Sequence, residues 1–206
     1  MQRKKTLLLV IPLIILLSGC TVVRIDTTSI DNTINVVLSK DNKLYNRIGK
    51  GYKYYVPRGV TYIDSNELND KLYSNGNYYY LFVDAIGYYY KIETDYRENP
   101  NAYYSKIINV DGKVGYVEIN QIDEEYFVEF IYNYSKIEAI VSKEDINDVI
   151  LDASYILSTV KFNNNVIKLM LNEEIFTNRE EKYDRFESKK DSGNFLEYVE
   201  EEPEEK

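Results

Sequence analysis

The stretch that decides the fold is YYSKIINVDGKVGYVEIN, Tyr103 to Asn120. Two runs rich in aromatic and β-branched residues, Tyr103–Val110 and Lys113–Asn120, are separated by Asp111-Gly112. Both central positions of a tight hairpin turn require φ > 0, and Asp-Gly is among the residue pairs that tolerate this best. The spacing predicts two antiparallel strands. Downstream, Tyr126 to Tyr134 alternates: Tyr126, Val128, Phe130, Tyr132 and Tyr134 share one face, with Glu129 and Asn133 on the other. Ile137, Ala139 and Val141 repeat the pattern within Lys136–Val141. The expectation is an antiparallel meander with one buried face.

After Val141 the period changes. Ile146, Val149, Ile150, Ala153, Ile156, Leu157 and Val160 form an apolar stripe at helical spacing. It predicts a long helix lying across the sheet, preceded by Ser142–Asp145 as a capping-box variant. Val166 to Leu171 reads as a last short helix or strand.

Upstream of the hairpin, Ile30, Ile34, Val37 and Leu38 predict a helix over about 30–39, with Thr28 or Ser29 as its cap. Tyr52–Val56 and Tyr78–Val83 read as strands. Between them Ser65 is expected to cap a short helix holding Leu68 and Leu72, ended by Asn75-Gly76. Ile86–Ile92 reads as a further strand weakened by Gly87, and Thr94–Asn101, with Pro100, as a loop. Hairpins followed by a long helix imply one α+β domain, a twisted antiparallel sheet flanked by helices, over residues 29–172. Residues 173–206 are charge-rich and end in EYVEEEPEEK; the last ten or so are expected to be a solvated, disordered tail. Phe186, Phe195, Leu196 and Tyr198 are candidates to pin the preceding segment to the domain.

The chain begins MQRKK, followed by the apolar run Leu7–Leu17 and then Ser18, Gly19 and Cys20. Basic, apolar, small is the layout of a secretory signal peptide. Eleven apolar residues span roughly 17 Å as a helix, too little for a hydrocarbon core of about 30 Å, so a cleaved signal is expected rather than a spanning anchor. Leu17-Ser18-Gly19-Cys20 is similar to the lipobox of bacterial lipoproteins. The resemblance implies a signal peptide over 1–19, cleavage between Gly19 and Cys20, and a diacylglyceryl thioether on Cys20. It also implies attachment to the extracytoplasmic face of the cell membrane. Residues 20–28 would be the lipidated tether. Two acyl chains suffice for stable anchoring where one is marginal.

Composition removes many chemistries. The 206 residues contain no histidine, no tryptophan and one cysteine, Cys20. Ser-His-Asp and Cys-His catalysis cannot be assembled, nor can zinc sites built from Cys or His. A disulfide within the chain is impossible, so a packed core must supply the stability. No cofactor and no metal site is expected. The net charge of −9 becomes −12 once Arg3, Lys4 and Lys5 leave with the signal. That excludes a basic nucleic-acid footprint and predicts that an anionic bilayer repels the body of the protein. The 22 tyrosines, including the triplets Tyr78–Tyr80 and Tyr88–Tyr90, are read as strand formers on half-buried surfaces, with a ligand platform as the alternative.

Several motifs carry little. Ser158-Thr159-Val160-Lys161 has the S-x-x-K spacing of penicillin-binding enzymes but lacks their companion motifs. Glu124-Glu125 and the Glu200–Glu205 run read as solvated faces. Gly49-Lys50-Gly51 is too short for a phosphate loop. ILSTVKFN, Ile156 to Asn163, resembles the terminal helix and strand of the PsbP-like and DcrB-like fold, which implies a non-enzymatic accessory role and carries over no functional residue. The expected function is a membrane-tethered accessory or binding module, with an envelope or membrane-complex protein as partner. The alternatives are a solute-binding lipoprotein of a transporter and a carboxylate-dependent cell-wall glycan hydrolase. The hydrolase needs two carboxylates about 5–9.5 Å apart in a cleft.

Overall fold

The computed structural model describes residues 29–66, 68–92 and 95–172. Gly19, Cys20 and the segment 173–206 lie outside the described residues, as do the four residues proposed to pin that segment.

Helix α1 (Ile30–Leu38) begins at Ser29, whose hydroxyl accepts from the Asn32 amide at 3.3 Å. It buries Ile34, Val37 and Leu38 as its spacing requires. Three strands follow: β1 (Arg47–Ile48), β2 (Tyr52–Tyr54) and β3 (Thr61–Asn66). Then come β4 (Asn69–Ser74), β5 (Asn77–Val83), helix α2 (Ala85–Tyr90) and β6 (Tyr104–Val110). The chain continues through β7 (Lys113–Ile122), β8 (Glu125–Tyr132) and β9 (Ser135–Val141). A 3₁₀ turn (Lys143–Asp145) leads into α3 (Ile146–Thr159), β10 (Lys161–Phe162) and α4 (Asn164–Asn172). The architecture is α+β, as the hairpin and the apolar stripe predict.

Seven strands form one antiparallel sheet in the order β3-β4-β5-β9-β8-β7-β6. It consists of two meanders joined where β5 pairs with β9. Helices α1 and α3 pack together over the front face. There Val117, Ile119, Val128, Phe130, Ile137 and Ala139 meet the α3 stripe, which is buried from Ile146 to Leu157. Each fully buried Val, Ile or Leu contributes ~1.5–3 kcal/mol, so this layer is the main core. The remaining strands form a small sheet, β1-β2-β10.

Four expectations are corrected. Ser65 does not cap a helix: Leu68 and Leu72 flank or occupy β4, and Asn75-Gly76, with φ of 48° and 88°, is the hairpin turn to β5. The polar Asp70 hid the strand period. It is buried because the Tyr54 hydroxyl donates to it at 2.6 Å and that of Tyr52 at 3.4 Å. The Ile86–Ile92 run is helical through Tyr90 rather than extended, and Lys91, with φ of 57°, ends the helix. Asp84 caps α2 by accepting from the Gly87 amide at 2.7 Å, and a Cβ on Gly87 would lie 2.1 Å from that carboxylate. Ser142–Asp145 is no capping box, because Ser142 donates to the Asp145 side chain and the segment is a 3₁₀ turn.

The fourth correction concerns the reverse face of the meander. On β8 and β9, Phe127, Glu129, Ile131, Lys136 and Glu138 are buried as well as the front-face residues. The topology supplies the cause. β5 lies near the middle of the sheet and β6 at its edge, and the two run parallel. The connection between them lays Tyr96 over the back of the meander, its ring on that of Tyr116 at 3.6 Å and 3°.

Candidate functional site

Of the polar constellations in this fold, one is closed and one is open enough to hold a ligand. The closed one is a row of glutamates on the reverse face. Glu118, Glu129 and Glu138 are direct cross-strand partners on β7, β8 and β9. Their exposures are 2%, 2% and 5%. Like charges directly opposite are destabilising, so the row persists only through its donors. The Tyr96 hydroxyl donates to Glu118, as do Asn99 at 3.1 Å and Asn120 at 2.9 Å. Ser105 shares a hydrogen bond with the Tyr96 hydroxyl at 2.7 Å and accepts from the Asn99 amide at 2.8 Å. Tyr116 donates to Glu129 at 2.6 Å, and Lys136 to Glu138 at 2.5 Å. The second oxygen of Glu129 has no hydrogen-bond partner among the described residues. Burial pushes the Glu129 carboxyl up to about 7, against the pull of Lys136 and Tyr116. Burial and the neighbouring carboxylates likewise raise the Tyr96 and Tyr116 phenols.

Three carboxylates thus sit together across adjacent strands, with the Tyr96 hydroxyl closing on the first of them, Glu118. The raised Glu129 value favours its protonated form below neutral pH, and none of the three glutamates is more than 5% exposed. Among the described residues no group of three or more acidic, histidine or cysteine side chains is placed to hold a metal ion.

The open constellation is a groove of about 670 Å³ over the small sheet. Tyr45, Ile48, Lys53, Lys161, Phe162 and Val166 line it. Its floor is set by local chemistry. Asn46 clamps the backbone of Val56 with two hydrogen bonds, at 2.8 and 2.9 Å, which fixes the β1–β2 hairpin. The turn Gly49-Lys50-Gly51 then packs on the start of α4. The Asn163 amide donates to the Gly51 carbonyl at 2.8 Å, and a Cβ on Gly51 would lie 2.7 Å from Ile167. Gly51 also has φ of 84°, so glycine is required there twice over. Asn163 caps α4, its side chain accepting from the Asn165 and Val166 amides. Tyr88 of α2 stacks on Phe162 at 3.9 Å and 9°, joining the groove to one end of the large sheet.

The pairing register puts Ile48, Lys53 and Lys161 in one row across three strands. Lys53 and Lys161 are directly opposed. Lys53 rests over the Tyr45 ring at 3.8 Å. Among the described residues none of Arg47, Lys50, Lys53, Lys161 and Lys168 forms an ion pair with a carboxylate.

Of the residues singled out in the sequence, Ser158 and Lys161 do not cooperate. Ser158 donates to the Tyr155 carbonyl inside α3, while Lys161 stands in β10 opposite Lys53. Glu124 and Glu125 are exposed at the β7–β8 turn. Among the described tyrosines, Tyr52, Tyr54, Tyr79, Tyr116, Tyr126 and Tyr132 are buried, whereas Tyr45, Tyr73, Tyr78, Tyr90 and Tyr103 are exposed. Comparison with protein families, with curated proteins and with solved structures finds no match.

Proposed function

We propose that this chain is a lipid-anchored accessory module of the extracytoplasmic membrane face, fastened through Cys20 and acting by binding rather than catalysis. The lipobox residues Leu17-Ser18-Gly19-Cys20 support the anchor. Among the described residues no helix is long and apolar enough to cross a membrane, so that part of the chain supplies no such anchor of its own. The observation that carries the choice of binding over glycan hydrolysis is the contrast between the two constellations. The glutamates of the reverse-face row are packed into the sheet, with the Tyr96 hydroxyl on Glu118. The accessible groove is lined by lysines, asparagines, aromatic rings and aliphatic side chains, with no carboxylate among them. The resemblance of Ile156–Asn163 to the PsbP-like and DcrB-like fold points to the same accessory class.

In-cell cross-linking of the membrane-associated chain tests this reading. One dominant envelope or membrane-complex protein is expected. Recovery of none under several cross-linking chemistries, or glycan cleavage by the purified chain, would contradict it.

A further inference from the structure

The net charge of the chain conceals a segregation. Residues 40–58 hold six cations, Lys40, Lys43, Arg47, Lys50, Lys53 and Arg58, against the single acid Asp41. Residues 161–172 add Lys161 and Lys168 with no acid. These two segments supply every residue that lines the groove, Lys53 and Lys161 among them, so in a chain of net charge −9 the segments that build it carry eight cations against one acid. The same segments expose apolar side chains. Ile48 is 78% exposed, Leu169 59% and Leu44 58%, and Tyr45 and Val166 are exposed as well. Val166 and Leu169 lie three apart on α4 and share its outward face.

We infer that this pole, formed by β1, β2, β10 and the exposed face of α4, is a docking surface for an anionic lipid bilayer. Opposing Lys53 to Lys161 across adjacent strands is unfavourable by itself, and a dense anionic surface would relieve it. Cations set beside exposed aliphatic and aromatic side chains are what an interface between headgroups and acyl chains accommodates. A small free anion would use the lysines and leave Ile48, Leu44 and Leu169 unexplained. The inference rests on the reading that the chain is tethered at Cys20. From there to Ser29 is nine residue steps, at most about 32 Å, so a tethered domain stays within reach of the surface. The expectation that an acidic body is repelled then holds for the remainder of the molecule, and that repulsion helps turn the basic pole toward the lipid.

The test uses the processed full chain reconstituted through its own anchor. An environment-sensitive fluorophore is placed on Asn165→Cys at the groove rim. A control carries it on Glu124→Cys, in the β7–β8 turn at the opposite end of the large sheet. Vesicles are phosphatidylcholine alone or phosphatidylcholine with phosphatidylglycerol. The rim probe is expected to shift to the blue and to be quenched by lipid-borne quenchers only with phosphatidylglycerol. High salt should reverse this, and the control probe should not respond. Each charge reversal, Lys50→Glu or Lys168→Glu at exposed positions and Lys53→Glu or Lys161→Glu within the groove, should weaken the docked state by at least about fivefold. Equal signals in both lipid mixtures, or no effect of the reversals in variants that retain the native circular dichroism spectrum, would overturn the inference. So would a rim signal present without vesicles and abolished by deleting 173–206, which would assign the pole to the chain's own acidic segment. Failure of the anchor appears separately, as loss of the protein from neutral vesicles.

Discussion

Lys53 and Lys161 face each other directly across β2 and β10, with Ile48 completing the row on β1. A like-charged pair at this spacing weakens a sheet, and an opposite pair strengthens it, by roughly 0.2–1 kcal/mol. Lys161→Glu is therefore predicted to raise stability by about 0.5 kcal/mol while reducing contact with anionic vesicles. Urea denaturation beside vesicle binding separates the two effects. A variant that loses both stability and binding would show that Lys161 is needed by the fold itself.

Glu129 predicts a stability that falls as pH rises. In the unfolded chain its proton leaves near the ordinary glutamate value of 4.5, whereas burial holds it to about 7 in the folded chain. Between those values the folded state binds more protons, so stability contributed below pH 4.5 is lost on the way to pH 7 and then levels off. The groups that face it are the Glu118 and Glu138 carboxylates, the Lys136 ammonium and the Tyr116 hydroxyl. Glu129→Gln should remove most of this slope and gain about 2 kcal/mol at pH 8. Urea unfolding from pH 4 to 8 measures it. An unchanged slope would place the proton elsewhere.

Tyr96 closes the glutamate row with its ring and its hydroxyl. Tyr96→Phe keeps the stack on Tyr116 but removes the donor to Glu118, at a cost of about 2 kcal/mol. Tyr96→Ala removes both and should cost about 4 kcal/mol, lowering the Glu129 carboxyl toward its ordinary range as water enters. Denaturation together with carboxyl titration by NMR would read both changes. Equal stability of the two variants would mean that the ring contributes nothing.

Gly115 of β7 pairs with Tyr132 of β8. A Cβ there would lie 2.0 Å from the Ile131 carbonyl oxygen, a backbone atom that cannot swing aside. Gly115→Ala is predicted to destabilise by about 3 kcal/mol through a shift of the paired strands. Gly76→Ala at the β4–β5 turn meets no atom within 4 Å and suffers only from its φ of 88°, so it should cost about 1 kcal/mol. Thermal melts of the pair would show whether steric approach or backbone conformation dominates.

The α+β class, the Tyr103–Val141 meander and the long helix were legible because their periods are unbroken. Where a buried polar residue stood in the pattern, the period failed. Asp70 hid β4, and the Asp84–Gly87 cap hid a helix behind a run of aromatic residues. The glutamate row was illegible for a different reason. Glu129 alternates with apolar residues as a solvent-facing residue does, and only the crossover from β5 to β6 brings Tyr96 onto its neighbours Tyr116 and Glu118. Tyrosine hydroxyls available in number were the one signal that such carboxylates could be held inside. The basic pole could have been found by counting charge along the chain instead of over all of it. Its closure into a groove could not, because β10 joins β2 from more than 100 residues away.

Whether Cys20 carries lipid is read most directly from the mass of the N-terminal peptide of chain recovered from bacterial membranes. A peptide that begins at Cys20 and bears a diacylglyceryl increment is predicted, with Cys20→Ala moving from the detergent phase to the aqueous phase. A chain still beginning at Met1, or one whose Cys20 has the mass of a free thiol, would contradict a lipid-anchored protein.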